Sequence, residues 1–167
     1  MASKKGIALT AGIIGGFIAA SFLVYYVPTG PQSDVITFGD AMQRLEFAID
    51  RKQVIIDEFQ TIFQGWENGD VDKNAFDSGV DVALSQVNTL ITELRGKQIP
   101  SEWNDSYVLF IQALDNYKSY IEKTKEYTNY KSVGETDPAE DQSRLDTISE
   151  AFDRAESLTQ ESRNAMP

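Results

Sequence analysis

The sequence predicts an all-α protein in which a single N-terminal transmembrane helix precedes an extracytoplasmic antiparallel four-helix bundle. Three observations support this fold class. Residues 6–27 form an apolar stretch without charged side chains. After residue 33, apolar residues recur at intervals of three and four, which is the spacing of one helix face. No segment combines sustained apolar–polar alternation with β-branched enrichment, so no sheet is expected.

The N-terminal stretch has the length and the flanks of a membrane anchor. Its 22 residues would span about 33 Å as a helix, against a hydrocarbon core of about 30 Å. Lys4 and Lys5 precede it, and Tyr25 and Tyr26 lie at its far end. No Lys or Arg follows the stretch until Arg44. This asymmetry of basic residues predicts a cytoplasmic stub at 1–5 and an extracytoplasmic C-terminal part. A cleaved secretory signal and an archaeal prepilin-type leader are the alternatives for this segment.

Small residues recur along the predicted transmembrane helix. Ala8, Gly12, Gly16 and Ala20 are spaced four residues apart and would form one ridge on the helix. Membrane helices associate through close packing, which small side chains permit. We therefore expect this ridge to contact another membrane helix, from a second copy or from another subunit.

A linker at 28–33 contains two prolines and a glycine, and the bundle domain is expected at 34–167. The first bundle helix should end at Asn68-Gly69, and the second should begin after the N-cap Asp72 and end near Gly96. Lys52 takes one position of an otherwise apolar seam. The apolar seam positions are Phe38, Met42, Leu45, Ile49, Ile56, Phe59, Phe63 and Trp66 in the first helix, and Phe76, Val80, Leu84, Val87, Ile91 and Leu94 in the second.

The third and fourth bundle helices also have recognisable starts. Ser101 is the predicted N-cap of the third helix, which should decay near Tyr130. Asp137-Pro138-Ala139-Glu140 combines an N-cap, a proline at the first helical position and a glutamate three residues after the cap. The seam positions are Trp103, Tyr107, Phe110, Leu114, Tyr117 and Ile121 in the third helix, and Leu145, Ile148, Phe152, Ala155 and Leu158 in the fourth. Short connections favour an up-down order that brings the last helix beside the first.

Composition excludes several kinds of chemistry. The chain has no Cys and no His, which excludes disulfides, zinc fingers, His-based catalytic triads and His-built iron or copper sites. A net charge of −11 argues against a nucleic-acid partner, because such a protein needs a basic patch. We find no set of nucleophile, base and orienting group, so we expect neither an enzyme nor a bound cofactor or metal.

Three further patterns have ordinary interpretations. Asp70, Asp72, Asn74 and Asp81 fall at calcium-loop positions, but Ala75 replaces the essential glycine, so a helix-to-helix turn is favoured. The aromatic residues of the third helix are expected to lie in the hydrophobic core and at its rim, with the tyrosine hydroxyls reaching water. Asn104 begins an N-glycosylation sequon and should face outward.

Two segments carry a resemblance to a known group of proteins. Residues 97–107 read KQIPSEWNDSY, and residues 113–121 read ALDNYKSYI. Together with the Lys-Lys start, the single membrane helix and the Pro-rich break, they resemble small membrane-anchored helical proteins of ammonia-oxidising archaea. The resemblance implies a His-free accessory subunit, with archaeal ammonia monooxygenase as the candidate complex, and it supplies no catalytic residues.

The leading functional expectation is therefore a non-catalytic, membrane-anchored subunit that stabilises a larger membrane complex. Its expected partners are the membrane and other membrane-protein subunits. One alternative is an extracytoplasmic ligand-binding or sensing bundle, which requires a pocket between helices. Another alternative is a pilin-like or envelope structural protein.

Overall fold

Helices account for nearly all of the described structure. The computed structural model describes residues 38–134 and 137–167. Its elements are α1 (Phe38–Glu67), α2 (Lys73–Arg95), a short 3-10 turn (Ser101–Trp103), α3 (Asn104–Ser132) and α4 (Pro138–Asn164). No strand occurs within these two ranges, so the predicted all-helical class and the four bundle helices are confirmed there. The predicted stub 1–5, transmembrane helix 6–27 and linker 28–33 lie outside the described residues.

A glycine in a left-handed conformation and a helix N-cap determine the shape of the connection between α1 and α2. Gly69 has a φ of 75°, a left-handed conformation that glycine adopts without steric cost. Val71 is buried against Gly65, and the Asp72 carboxylate accepts the backbone N–H of Ala75 at 2.9 Å. The predicted stop after α1 and the predicted cap of α2 are both confirmed.

The start of α3 differs from the prediction. Ser101 does not cap a helix; it begins the 3-10 turn, and its hydroxyl bonds the neighbouring Glu102 carboxylate. The Trp103 backbone N–H donates to the Pro100 carbonyl at 2.9 Å, and the Trp103 side chain is only 1 % exposed. The tight turn thus lets the chain bury the indole before α3 begins at Asn104.

The start of α4 follows its sequence signals except at Glu140. The Asp137 carboxylate accepts the Ala139 N–H at 3.0 Å, and Pro138 opens the helix. Glu140 accepts two hydrogen bonds from the Arg144 guanidinium, at 2.7 and 3.1 Å. This glutamate therefore forms an ion pair one turn along the helix.

Consecutive helices run in opposite directions. The pairs that show this are Arg51–Glu93 and Phe63–Phe76 for α1 and α2, Arg95–Asp115 and Asp81–Lys125 for α2 and α3, and Ser106–Ser162 and Lys131–Asp141 for α3 and α4. We call the end where α1 begins the base; it also holds the α2–α3 connection and the end of α4. The opposite end, with the α1–α2 connection and the end of α3, is the tip.

The helices do not pack equally. The α3 and α4 backbones approach each other along much of their length, whereas α1 and α4 are joined mainly through side chains. The buried face of α4 is dominated by small residues, which permit this approach: Ala151, Ala155, Thr159 and Ser162, together with Ile148 and Leu158. The last helix therefore lies along the third far more closely than along the first.

Most predicted seam residues are in the core, and one is not. Phe63, Trp66, Leu84, Leu145 and Phe152 are half-buried. The prediction for Met42 is wrong, because its side chain is 46 % exposed. Near this level the seam between α1 and α4 opens into a surface cleft lined by Glu46, Asp50, Arg163 and Met166. The helical spacing is correct, but none of the other described helices covers Met42. The side chain of Phe38 lies outside the described part.

Candidate functional site

The most unusual side chain in the described structure is a buried lysine. Lys52 lies on the seam of α1 between Ile49 and Ile56 and is 2 % exposed. A buried ammonium is costly unless it is paired and hydrogen-bonded. Its environment is therefore the natural place to look for chemistry.

Lys52 Nζ is surrounded by acceptors from three helices. It donates to Tyr117 Oη on α3 at 3.0 Å, to Glu156 Oε1 on α4 at 3.4 Å and to Gln53 Oε1 on α1 at 3.2 Å. Tyr117 Oη in turn donates to the same Glu156 oxygen. We call Lys52, Tyr117 and Glu156 the lysine clasp, because they join α1, α3 and α4 at mid-height.

Burial governs the ionisation of the clasp. Desolvation lowers the pKa of Lys52, and the Glu156 carboxylate opposes part of this effect. Desolvation and the hydrogen bond to Glu156 raise the pKa of the Tyr117 phenol far above its usual value. The Glu156 side chain is 42 % exposed, so the carboxylate links the buried ammonium to water.

The geometry of the clasp favours a structural role. An ammonium has three N–H donors, and three acceptors within the protein surround Lys52 Nζ. Attack on a substrate would require a free amine with access to solvent. The clasp instead uses its polar atoms to hold three helices in register.

The tyrosines of α3 also bond within the protein. Tyr107 Oη donates to the Ala41 carbonyl of α1 at 2.9 Å, and burial raises its pKa to about 12. The predicted core role of these rings is confirmed, but the expected contact with water is wrong for Tyr107 and Tyr117, which are both almost fully buried. Near the tip, Tyr127 packs with Phe63 and Trp66 at centroid distances of 6.3 and 6.5 Å, and Phe76 joins this aromatic cluster through the same two rings at 6.2 and 5.9 Å.

The calcium-like spacing has a helical explanation. Asp72 caps α2, while Asn74 and Asp81 lie inside that helix. Asp81 accepts a hydrogen bond from Lys125 at 3.0 Å. The favoured helix-to-helix turn is confirmed. Over residues 38–134 and 137–167, no three acidic side chains are grouped so that they could hold a metal ion.

The other residues singled out by sequence remain predictions. Ala8, Gly12, Gly16 and Ala20 lie outside the described residues, as does the whole predicted anchor. Asn104 is the first residue of α3, and its side chain is exposed. Its modification stays a prediction.

Sequence reasoning missed the lysine clasp. The available signal was a charged residue on an apolar seam, which predicts a buried ion or a break in the helix face. Its partners, Tyr117 and Glu156, are separated from it by 65 and 104 positions. Only the relative positions of the packed helices bring them together.

Across the described ranges, none of the helices joins sufficient length to sufficient apolarity to cross a bilayer. Searches with family models, among curated proteins and among solved structures return no match to this chain.

Proposed function

We propose that this chain is a non-catalytic, membrane-anchored accessory subunit that stabilises a larger membrane complex. In this proposal residues 6–27 are the anchor, and the bundle domain 34–167 lies on the outer side of the membrane and covers exterior loops of a partner. The observation that carries the proposal is the uncharged N-terminal stretch with its ridge of small residues, immediately before a helical domain.

The packing of the described domain supports a scaffold role. The aromatic cluster near the tip and the lysine clasp at mid-height tie α1 to the helices that follow. Such long-range contacts give a domain one defined shape, which a partner's loops can recognise. A rigid cover of this kind stabilises a complex by burying surface and requires no reaction.

The candidate complex comes from the sequence resemblance. Residues 97–107 and 113–121 resemble small anchored proteins of ammonia-oxidising archaea, so archaeal ammonia monooxygenase is the first complex to test. In the described part, these residues form the α2–α3 connection, the start of α3 and its middle.

Co-purification tests this proposal. The chain is tagged, expressed in its native membranes, extracted in mild detergent and analysed for accompanying subunits. Gly12→Ile with Gly16→Ile overpacks the small-residue ridge, and we expect the partners to be lost. Ile14→Phe with Ile18→Phe adds bulk on the other side of a helical 6–27 segment and should retain them. Unchanged partners with the ridge variant would contradict docking through the ridge.

A further inference from the structure

Charge is distributed very unevenly along the bundle. We divide the described residues at the level of the lysine clasp. The basal half (38–52, 90–117 and 154–167) contains nine acidic and seven basic residues. The tip half (53–89, 118–134 and 137–153) contains fifteen acidic and six basic residues. The domain is therefore nearly neutral at the base and strongly negative at the tip.

Three of the seven basic side chains in the basal half form no ion pair with another described residue. Arg44, Lys97 and Arg163 form no ion pair with any described residue. They lie on the early part of α1, on the α2–α3 connection and in the last turn of α4. The other four basic residues of the basal half are paired: Arg51, Lys52, Arg95 and Arg154. In the tip half four of the six basic residues are paired: Lys73, Lys125, Lys131 and Arg144.

The basal half contains three of the five large apolar side chains that are exposed in the described structure, and the tip half contains Val54 and Val133. Met42 is 46 %, Phe47 45 % and Val108 43 % exposed, and all three belong to the basal half. Tyr107 binds the carbonyl of Ala41, which places Met42 and Val108 at nearly the same level. Unpaired cations and exposed apolar side chains at the same end of a domain are a combination that a lipid headgroup layer accommodates.

The short segment that precedes α1 favours the bilayer as the partner of this basal surface. Only residues 28–37 separate the predicted anchor from α1, and they span at most about 36 Å when fully extended. Helix α1 has 30 residues and is about 45 Å long. The base is thus held near the membrane, and the acidic tip is repelled by an anionic surface.

We propose that the base of the bundle docks on the anionic headgroup layer of the membrane. Arg44, Lys97 and Arg163 bind lipid phosphates, Met42 and Val108 contact the upper acyl region, and the tip points away from the bilayer. The inference rests on the membrane anchor of the proposed function. It adds a lipid-binding surface and an orientation that the anchor alone does not require.

The absence of cysteine from the chain allows a direct test. Val108→Cys and the control Val133→Cys are made in the full chain, labelled with a nitroxide and reconstituted in phosphatidylcholine vesicles containing phosphatidylglycerol. Val133 is 82 % exposed and lies at the tip. We expect the label at 108 to collide mainly with oxygen and the label at 133 mainly with a water-soluble nickel chelate. Equal access to nickel at both positions would overturn the proposal.

Charge variants test the lipid contacts themselves. Replacing Arg44, Lys97 and Arg163 by Gln should weaken docking and so expose the label at residue 108 to water. The ratio of docked to undocked protein should fall roughly fivefold for each residue replaced. The same should follow when phosphatidylglycerol is omitted. The matched replacement of Lys118, Lys123 and Lys125 by Gln removes three charges from the tip half and should leave the label in place. An equal effect of both sets would overturn the proposal.

The remaining outcomes separate the two proposals. If the chain stays with the vesicles in alkaline carbonate but the 108 label remains in water, lipid docking is wrong and the anchor stands. Protection at 108 only after partner subunits are added would replace the lipid surface with a protein interface. If carbonate releases the chain, the anchor itself is wrong, and the docking proposal is overturned with it.

Discussion

At the scale of single residues, the lysine clasp joins a buried charge to a countercharge that reaches water. Lys52 is buried, while Glu156 retains contact with water. Removing one partner of a buried charge leaves that charge uncompensated, whereas replacing the charge by an apolar group often costs nothing. The three positions of the clasp should therefore respond very differently to substitution.

Glu156→Gln should lower the free energy of unfolding by about 1–3 kcal/mol, because the buried ammonium of Lys52 loses its countercharge. Lys52→Met removes the ammonium and keeps most of the apolar volume, so the free energy of unfolding should stay the same or rise. Urea unfolding followed by circular dichroism measures both. The double variant is the control and should recover most of the loss. A larger loss for Lys52→Met than for Glu156→Gln would refute this account.

Alkaline pH should destabilise the folded domain. Burial raises the pKa of Tyr107 to about 12 and also raises the pKa values of Tyr117, Tyr120 and Tyr127. Above pH ~10 the unfolded tyrosines release protons that the folded ones keep, so stability falls by up to about 1.4 kcal/mol per pH unit for each tyrosine. The lowered pKa of Lys52 acts in the opposite direction up to the ordinary lysine pKa of 10.5, but it is a single group.

Urea unfolding between pH 8 and pH 11, with tyrosinate absorbance recorded in parallel, checks this prediction. Tyr117→Phe should make the alkaline loss less steep by removing one of the four buried phenols. Stability that is constant or rises across this range, with tyrosinate forming in the folded protein, would show that these rings are solvated.

At the scale of elements, close approaches limit which residues a helix accepts. A Cβ atom added at Gly79 of α2 would lie 2.6 Å from Ile62 Cδ1 and 3.3 Å from Ile62 Cγ2. Interiors are close-packed, so a larger side chain there displaces its neighbours. The pairing of α1 with α2 therefore depends on a glycine in mid-helix, despite its cost to helix propensity.

Gly79→Leu should lower the free energy of unfolding by about 1–3 kcal/mol through overpacking against Ile62. The adjacent Ser78 is exposed, so Ser78→Leu introduces the same side chain without the clash and should change stability by less than about 0.5 kcal/mol. Chemical denaturation of both variants provides the comparison. Equal effects would mean that α1 and α2 are not packed closely at this point.

The helix starts that could be predicted from the sequence are those set by capping residues close to them in the chain. The caps Asp72 and Asp137 act on backbone groups two or three residues away, so their effect is visible in a short window. Ser101 misled the prediction because burial of Trp103, a tertiary effect, favours a 3-10 turn there. Helix spacing likewise identified the face that carries Met42, but it could not show whether a neighbouring helix covers that residue.

At the scale of the whole molecule, the arrangement of helices depends on contacts between distant residues. Periodicity predicted four bundle helices, and those four are present in the described ranges. It did not predict that the small residues of α4 would bring that helix along α3, nor that Lys52 would reach across to Glu156. The unequal charge of base and tip could not be predicted from the sequence either, because it appears only after the antiparallel helices are folded together.

The central claim is that a membrane anchor presents the bundle on the outer face of the cell, and accessibility labelling tests it most directly. Single cysteines replace Ser3, ahead of the predicted anchor, and Val133 at the tip, in a chain that has no other cysteine. A membrane-impermeant maleimide is applied to intact cells and then to lysed cells. The account predicts that residue 133 is labelled in intact cells and residue 3 only after lysis. Labelling of residue 133 only after lysis would contradict it.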